Sequence, residues 1–349
     1  MSDLTYDVCI IGAGPAGLAA AERLHAAQRS VCLIDRRAHP GTKACGGGLT
    51  QAALARIPRD VISTGRPCRV LEVHSAGWRS RIHTDTPYMT LADRTTWQAQ
   101  WRARLIARGV RIHTETRLLH LTKNGVATSC GHITCGHIIG ADGPNSRVRR
   151  ALGLPTAIGS IALQLRHTHA PDAALLPAVW FWPTHFGAGY AWRFPHPDGC
   201  RWGVGVPTQT HDARALKAAF QHFLRHQRID ETRGIREGGN IGCHYVGHRF
   251  GRVWLAGDAA GLASPVTGEG ISQALISGDE VAKEICCPNY RSRAIARLGG
   301  QHRRTFAALA GPLPGARLLH SAAWLLRIPS LGRTVLSRFA QTAPSKIDV

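Results

Sequence analysis

The stretch of sequence that decides the fold is YDVCIIGAGPAGLAAAERLHAAQRSVCLID, residues 6–35. It opens with the apolar run Val8 to Ile11, which predicts a strand buried on both faces. The run leads into the glycine pattern G-x-G-x-x-G. We expect Gly12 to permit a tight turn, Gly14 to let the backbone approach a pyrophosphate, and Gly17 to let the next helix pack against the strand.

A helix and a second strand complete this unit. The helix is expected to start at Pro15 and Ala16, where free N–H groups and the helix dipole favour a phosphate. The second strand ends at Asp35, where a carboxylate can accept hydrogen bonds from an adenosine ribose and repels a 2′-phosphate. We include Arg36, the next residue, in the same expected site. The unit predicts an adenine dinucleotide and leaves NAD and FAD open.

Two later strand ends favour FAD. The apolar strand that ends in Gly-Ala-Asp-Gly, residues 140–143, places Asp142 where open α/β sheets bind ligands, although Asp142 could instead only cap the following helix. The strand that ends at Gly257 and Asp258 places a second acid to accept hydrogen bonds from sugar-like hydroxyls. Two acid-bearing strand ends and the dinucleotide turn fit one long cofactor, FAD.

The loop and helix after Asp258 extend the expected cofactor site. A loop of small residues that includes Gly268 leads to a helix from about Ile271 to Ile285. Its first N–H groups, at Gly270 and Ile271, can face an electron-rich ring edge.

A run of glycines marks a second place where the backbone can approach a ligand closely. Cys45 precedes Gly46, Gly47 and Gly48, and three glycines permit backbone to approach something flat, such as a flavin ring. Cys45 is either a thiol that faces the reaction centre or a small residue at a bend. Arg94, just before a predicted helix, is expected to contact the cofactor, with a solvated or capping role as the alternative.

A separate sheet is predicted between the nucleotide-binding segments. In residues 67–89 the side chains alternate as in short strands, which predicts a two-stranded segment outside the nucleotide-binding domain. Residues 157–242 are rich in Trp, Phe and Pro. Tyr190, Trp192 and Phe194 alternate and therefore project from one face of a strand, which is expected to stop at Pro195. That face is either sheet core or the wall of an apolar pocket.

These patterns predict an α/β protein. A Rossmann-type FAD-binding domain is expected from residues 1–66, 90–155 and 243–290. An antiparallel substrate domain is expected from residues 67–89 and 156–242. Residues 291–349 form a basic C-terminal helical segment, which either lies on anionic lipid or packs over the substrate domain. Its apolar side is assigned to Leu318, Leu319, Trp324, Leu325 and Leu326.

Composition narrows the function classes. Lys and Arg number 43 against 22 Asp and Glu, a formal charge of +21 that attracts anionic partners such as acidic carrier proteins or phospholipid head groups. The cations are scattered without interleaved aromatics, which disfavours nucleic acid. Ten cysteines in 349 residues, with no room for a signal peptide, favour a reducing, cytoplasmic location. Cys130, His132, Cys135 and His137 lack zinc-site spacing, so we expect a hairpin and no metal.

The three anchors resemble a known superfamily. Residues 12–17, 140–143 and 257–261, in that order, are similar to the flavoproteins of the para-hydroxybenzoate hydroxylase superfamily, and the likeness extends to about Cys287. Within that superfamily, KACGGG at 43–48 and YAWRFP at 190–195 resemble the geranylgeranyl reductase family and its Tyr-x-Trp-x-Phe-Pro motif. Asp35 stands where Glu is more usual, and the chain is shorter than many members.

The resemblance implies residue roles. Asp35 would bind the adenosine ribose, Arg94 would lie near the flavin, Asp142 would support the cofactor, and Asp258 would bind ribityl or pyrophosphate. The substrate tunnel would be bordered by the candidate catalytic residues Cys45, Tyr190 and Trp192.

The resemblance also implies an activity. We expect an FAD-dependent reductase of isoprenoid (geranylgeranyl-type) double bonds, in which reduced flavin delivers hydride from N5 to one alkene carbon while a proton reaches the other. Electrons would come from transiently bound NADPH or from an acidic, ferredoxin-like protein. The protein would be cytoplasmic, with peripheral contact at the inner membrane face.

Three other functions share the FAD site. An aromatic hydroxylase or halogenase shares all three anchors, and only the Cys-Gly-Gly-Gly and Tyr-x-Trp-x-Phe-Pro stretches argue against it. An electron carrier to quinone would contact the membrane through the basic C-terminal segment. The sequence lacks the cysteine array that an iron–sulfur cluster in such a carrier would need. The last alternative is a flavin-binding protein without turnover.

Overall fold

The computed structural model describes residues 4–41, 43–62, 64–75, 77–168, 174–209, 211–309, 326 and 328–340. The strands in this part of the chain are β1 (Leu4–Ile11), β2 (Val31–Ile34), β3 (Gly48–Leu49), β4 (Arg66–Cys68), β5 (Val70–Ser75), β6 (Trp78–His83), β7 (Met89–Leu91), β8 (Arg111–His113), β9 (Leu118–Leu121), β10 (Gly125–Thr128), β11 (Gly131–Gly140), β12 (Ile158–His167), β13 (Ala178–Phe181), β14 (Tyr190–His196), β15 (Gly199–Pro207), β16 (Gly234–Gly242), β17 (Arg249–Phe250) and β18 (Val253–Leu255). The α-helices are α1 (Pro15–Ala26), α2 (Gln51–Leu54), α3 (Arg94–Ala107), α4 (Arg147–Ala151), α5 (Pro183–Phe186), α6 (Ala213–His226), α7 (Ile271–Cys286), α8 (Arg293–Leu309) and α9 (Pro329–Ala340).

The first sheet is the predicted Rossmann-type sheet. Its strand order is β17-β18-β11-β1-β2-β8, in which β18, β11, β1, β2 and β8 run parallel. A β9–β10 hairpin extends it through β11. Val8 to Ile11 of β1 and all four residues of β2 are buried, as their unbroken apolar runs predict. The three expected anchors therefore lie at the carboxyl ends of three adjacent parallel strands, β1, β11 and β18.

Helices α1 and α7 pack against each other. Gly278 of α7 makes this possible, because a Cβ at that position would lie 2.1 Å from the carbonyl oxygen of Ala16. The close crossing holds the start of α1, and with it the glycine turn, against the helix that follows Asp258.

The second sheet is the predicted substrate sheet. Its order is β16-β12-β15-β14-β13-β5-β6, antiparallel except for the β13–β5 pair. Helix α6 covers one face, where Phe220 and Phe223 pack with Trp180 and Trp202. The opposite face carries Leu71, Val179 and Trp192. Strands β4 and β7 do not join this sheet; β7 pairs with β4 on one side and with β3 on the other.

The C-terminal part contains two described helices, as its composition predicts. Helix α8 packs on α7, and α9 packs on β6 of the substrate sheet. The α9 contact agrees with the second of the two expected arrangements. Of the residues assigned to the apolar side, Leu318, Leu319, Trp324 and Leu325 lie outside the described residues. No helix in the described ranges has the length and apolar character needed to cross a membrane.

Candidate active site

One cavity of about 1330 Å³ opens at the carboxyl ends of β1, β2, β11 and β18 and extends to the substrate sheet. It brings together almost all of the residues that the sequence singles out. Those that line it are Gly12, Gly14, Pro15, Ala16, Asp35, Arg36, Cys45, Gly46, Gly47, Arg94, Asp142, Tyr190, Trp192, Gly257, Asp258, Gly268, Gly270 and Ile271. Gly17 is the exception, and its role is packing.

The glycine turn has the geometry that a dinucleotide requires. Gly12 has a φ of +107°, and a Cβ there would lie 2.5 Å from the carbonyl oxygen of Ala141. A Cβ on Gly17 would lie 1.9 Å from the carbonyl oxygen of Gly12, so only glycine lets α1 start this close. A Cβ on Gly14 would meet no atom within 4 Å. The turn therefore leaves open the space in which a pyrophosphate would meet the start of α1.

Asp35 is held in a fixed orientation at the end of β2. Its Oδ2 accepts hydrogen bonds from the Ala13 amide at 2.8 Å and from the Arg102 guanidinium at 3.0 Å. Its Oδ1 accepts from the Arg37 amide at 2.9 Å and keeps a second lone pair for a ribose hydroxyl. Arg102 lines the cavity and was not among the predicted residues, because it reaches Asp35 from α3.

Asp142 accepts hydrogen bonds from residues at the start of α4. Its carboxylate accepts hydrogen bonds from the Ser146 hydroxyl at 2.5 Å and the Arg147 amide at 2.7 Å, while Ser146 caps α4 through the Arg149 amide. This is the capping alternative that the sequence left open. Because Asp142 also lines the cavity, it shapes the loop against which a cofactor would lie.

Asp258 forms an ion pair that the sequence did not predict. The Lys43 ammonium lies 2.6 Å from Asp258 Oδ2, and both residues line the cavity. The side chains are only partly exposed, at 25% for Lys43 and 15% for Asp258, so solvent screens the pair less than a surface pair. Lys43 places a positive charge where an anionic cofactor would meet the second acid.

Arg94 is the first residue of α3, and its neighbour caps that helix. Asp93 accepts from the Thr96 amide at 2.9 Å and pairs with Arg201 at 3.1 Å. Burial alone would raise the pKa of Asp93, but hydrogen bonds from Thr95 and Thr96 and the charge of Arg201 lower the pKa to about 2. The capping alternative for Arg94 is thus taken by Asp93, and the Arg94 side chain lines the cavity.

The loop Cys45–Gly48, here called the Cys-Gly loop, packs directly on the strand Tyr190–Pro195 of β14, here called the motif strand. A Cβ on Gly46 would lie 2.5 Å from the Phe194 ring, and one on Gly47, at φ +67°, would lie 2.4 Å from the His196 ring. His196 Nε2 donates a hydrogen bond to the Gly46 carbonyl at 2.8 Å. The two stretches that suggested the narrower resemblance therefore form one wall of the cavity.

The candidate catalytic residues lie on this wall. The Gly47 amide donates to Cys45 Sγ at 3.4 Å, and the Tyr190 hydroxyl donates to the Thr267 carbonyl. Burial raises the pKa of Tyr190, and negative charge on Glu269 or Cys45 raises it further. Tyr190 is therefore a neutral donor at neutral pH, close to Cys45.

The alternate side chains Tyr190, Trp192 and Phe194 of the motif strand point away from the aromatic core under α6. Tyr190 and Trp192 belong with Leu71, Val179 and Leu336 on the cavity side of the sheet. Gly203 makes room for the Trp192 indole, since a Cβ there would lie 2.1 Å from the ring. Of the two expectations for this face, the structure shows the pocket wall.

The Cys and His residues near position 130 belong to a hairpin. Strands β10 and β11 pair antiparallel, Cys135 is buried, and His132 bonds the Thr122 hydroxyl at 2.9 Å. No group of three or more His, Cys, Asp or Glu side chains in the described ranges is placed to hold a metal. All ten cysteines lie in those ranges and carry free thiols.

Comparison with known proteins decides the family. A family model described as an FAD binding domain matches residues 5–287. The chain belongs to this family. It is an FAD-dependent oxidoreductase, and the open glycine turn, the fixed Asp35 and the long cavity fit FAD.

Relatives of this flavoprotein include reductases. Digeranylgeranylglycerophospholipid reductase 3 of Methanosphaera stadtmanae is 28% identical over 300 residues, covering 78% of this chain and 75% of its own. Menaquinone reductase of Mycobacterium tuberculosis is 28% identical over 345 residues, covering 85% and 79%. The first of these names confirms the resemblance to geranylgeranyl reductases. An oxygen-using enzyme, 6-methylpretetramide 4-monooxygenase of Streptomyces rimosus, is 27% identical, covering 76% and 53%.

A solved structure confirms the fold of this flavoprotein. A geranylgeranyl bacteriochlorophyll reductase-like protein from Thermoplasma acidophilum superposes with a TM-score of 0.73 at 20% identity, covering 100% of this chain and 94% of its own. At this identity the likeness establishes the architecture alone.

Proposed function

We propose that this flavoprotein reduces carbon–carbon double bonds of an isoprenoid, geranylgeranyl-type lipid. The observation that carries the proposal is the packing of the Cys-Gly loop on the motif strand, Gly46 against Phe194 and Gly47 against His196. These two stretches separate the reductase resemblance from the hydroxylase resemblance. The reductase relatives, named for digeranylgeranylglycerophospholipid and for menaquinone, both isoprenoid compounds, support the same class of substrate.

The cavity beside the Cys-Gly loop suits an apolar chain. Its wall is formed by aliphatic and aromatic side chains, namely Leu71, Met89, Val179, Phe181, Trp192, Phe194, Leu336 and Phe339. An isolated alkene offers no polar group for recognition, so its position must be set by the shape of such a wall. The same wall excludes water from the place where the alkene lies.

Residues of the chain supply the proton and the binding surface. Bound FAD, when reduced, supplies the hydride for one alkene carbon. We assign the proton for the other carbon to the Cys45 thiol, which lines the cavity on the same loop as Gly46 and Gly47 and regains a proton from water. Tyr190 braces the motif strand through its hydrogen bond to the Thr267 carbonyl, and we assign to Trp192, which lines the cavity, the task of holding the alkene against the loop.

A Cys45→Ala variant tests that assignment. General acid catalysis of this kind contributes roughly 10²-fold or more, so we expect turnover to fall by about that factor with FAD content unchanged. Cys45→Ser should recover part of the rate. Full activity in Cys45→Ala would remove Cys45 from the mechanism.

The product identifies the reaction. Purified protein would be incubated with a prenyl-lipid mixture and either NADPH or a reduced ferredoxin-like protein, and the lipids analysed by mass spectrometry. We expect a gain of two hydrogens for each double bond reduced, and the donor that supports turnover identifies the reductant. Prenyl lipids unchanged with both donors would contradict the proposal.

The rival function is aromatic hydroxylation, favoured by the monooxygenase relative. It requires oxygen and adds an oxygen atom, so the same mass measurement on candidate aromatics distinguishes it. An electron carrier to quinone would reduce a quinone ring and leave the prenyl double bonds intact.

A further inference from the structure

Helix α9 presents a buried apolar stripe and an exposed one. Leu336 and Ala340 are buried, and a Cβ on Gly332 would lie 3.0 Å from Ile82 of β6, so this stripe packs on the substrate sheet. A second stripe consists of Leu331 and Val335 of the helix and Ile328 immediately before it, which are 37%, 45% and 45% exposed. We call these three residues the apolar rim.

The rim accounts for much of the exposed apolar surface. The large apolar side chains that are exposed in the described ranges are Ile106, Leu119, Ile235, Val266, Tyr290, Ile328, Leu331 and Val335. Three of the eight thus fall within eight consecutive residues. Clustering of this kind is typical of an interaction surface, whereas single exposed apolar residues, such as the other five, are normal on a protein surface.

The rim lies at the opening of the cavity. Leu331 and Val335 line the cavity and are also exposed, so they stand where it meets the surface. Leu336 and Phe339 of the same helix line it more deeply. Helix α9 therefore connects the apolar wall of the cavity with the exposed stripe.

Cations flank the rim. Arg338 follows Val335 by three positions and lies beside the exposed stripe, and Arg333 lies on the polar side of the helix. Arg333 is 3.9 Å from Asp85, and both side chains are largely exposed, so this pair is weak. An exposed apolar stripe with flanking arginines is the arrangement with which interfacial helices bind anionic lipid.

We propose that the apolar rim of α9 docks on an anionic phospholipid bilayer and lets a lipid chain pass from the bilayer into the cavity. The passage of substrate rests on the proposed function, whereas the docking rests on the rim and its charges alone. The rim enters the boundary between head groups and acyl chains, and Arg338 reaches the lipid phosphates.

Vesicle binding tests the docking. The holoenzyme would be floated with vesicles of phosphatidylglycerol and phosphatidylcholine and, separately, of phosphatidylcholine alone. Leu331→Gln combined with Val335→Gln removes two rim side chains without adding charge, and we expect a fall of about tenfold in partition to anionic vesicles. Neutral vesicles should bind the wild-type protein less, and added salt should weaken binding to the anionic ones.

A matched control separates the rim from general surface hydrophobicity. Ile106→Gln combined with Leu119→Gln changes two side chains of 56% and 55% exposure outside α9 and should leave partition unchanged. Circular dichroism and FAD content verify folding, and the single Val335→Gln variant replaces the double one should it not fold.

Three outcomes would overturn the docking proposal. They are no binding of the wild-type protein to anionic vesicles, equal losses in the rim and control variants, and a dimer that the rim variant abolishes in the absence of vesicle binding. Vesicle binding without any prenyl reduction would leave the docking intact and overturn the proposed function alone.

Discussion

At the scale of single residues, the Lys43–Asp258 pair shows how the site can be prepared for an anionic cofactor. Asp258 alone would place a half-buried negative charge beside a pyrophosphate. Lys43 offsets that charge at 2.6 Å and also fixes the direction of the carboxylate. Lys43, which precedes the Cys-Gly loop, thereby neutralises and orients the carboxylate of Asp258, which follows β18.

Replacing Lys43 should therefore weaken FAD binding. A hydrogen bond between charged groups contributes about 1.5–3 kcal/mol, so Lys43→Met should raise the Kd for FAD by roughly 10- to 100-fold. Fluorescence titration of the apoprotein with FAD measures the Kd, and Lys217→Met, at an exposed position of α6, is the control. An unchanged Kd in Lys43→Met would show that the pair has no part in cofactor binding.

His196 links acid sensitivity to the Cys-Gly loop. Burial, with the charge of Arg201, lowers the pKa of His196 to about 4, against about 6.5 for an unfolded histidine. The unfolded chain therefore binds more protons between these values, and the free energy of unfolding should fall as pH drops from about 6.5 to 4. Burial gives His302 the same pKa, about 4, and also lowers the pKa of His74 and His137, so several histidines act in this window.

The His196→Gln variant isolates one of these contributions. Glutamine can still donate to the Gly46 carbonyl but does not titrate, so the acid-dependent loss of stability should shrink by on the order of 3 kcal/mol. Urea unfolding at several pH values between 4 and 7 measures the slope. Parallel slopes for the variant and the wild-type protein would contradict the assignment.

At the scale of elements, the crossing of α1 and α7 supports the glycine turn. Gly278 lets the helices approach until the Ala16 carbonyl stands where a side chain would begin. Gly300 in the middle of α8 is a matched contrast, because a Cβ there meets no atom within 4 Å.

These two glycines should respond to alanine with opposite signs. Gly278→Ala must push the helices apart and should destabilise the protein by about 2 kcal/mol or more. Gly300→Ala gains helix propensity and should stabilise it by about 0.8 kcal/mol. Chemical unfolding measures both, and a neutral Gly278→Ala would refute the close crossing.

Local patterns made the nucleotide-binding elements predictable. A strand, a glycine turn, a helix and a second strand succeed one another within residues 6–35, and each has its own short-range signal. The contacts that complete the site join distant positions and leave no such signal. Lys43 and Asp258 are 215 residues apart, and Arg102 and Asp35 are 67 apart. His196 was missed because the strand was expected to stop at Pro195.

At the scale of the whole molecule, two sheets share one cavity. The parallel sheet supplies the dinucleotide end, and the substrate sheet supplies the apolar end. The alternation of Tyr190, Trp192 and Phe194 predicted a common face, but not whether that face was core or cavity. That depends on α6 covering the opposite side, which is a property of the assembled fold.

Reoxidation of the reduced flavin distinguishes a prenyl reductase from a hydroxylase in a single experiment. The purified protein would be reduced anaerobically, and its reoxidation followed by absorbance with a prenyl-lipid mixture and, separately, with oxygen and candidate aromatics. We predict reoxidation by the prenyl lipids, with two hydrogens gained for each double bond. A reduced flavin inert to prenyl lipids, but forming an oxygen adduct that an aromatic consumes, would contradict the reductase and establish a hydroxylase.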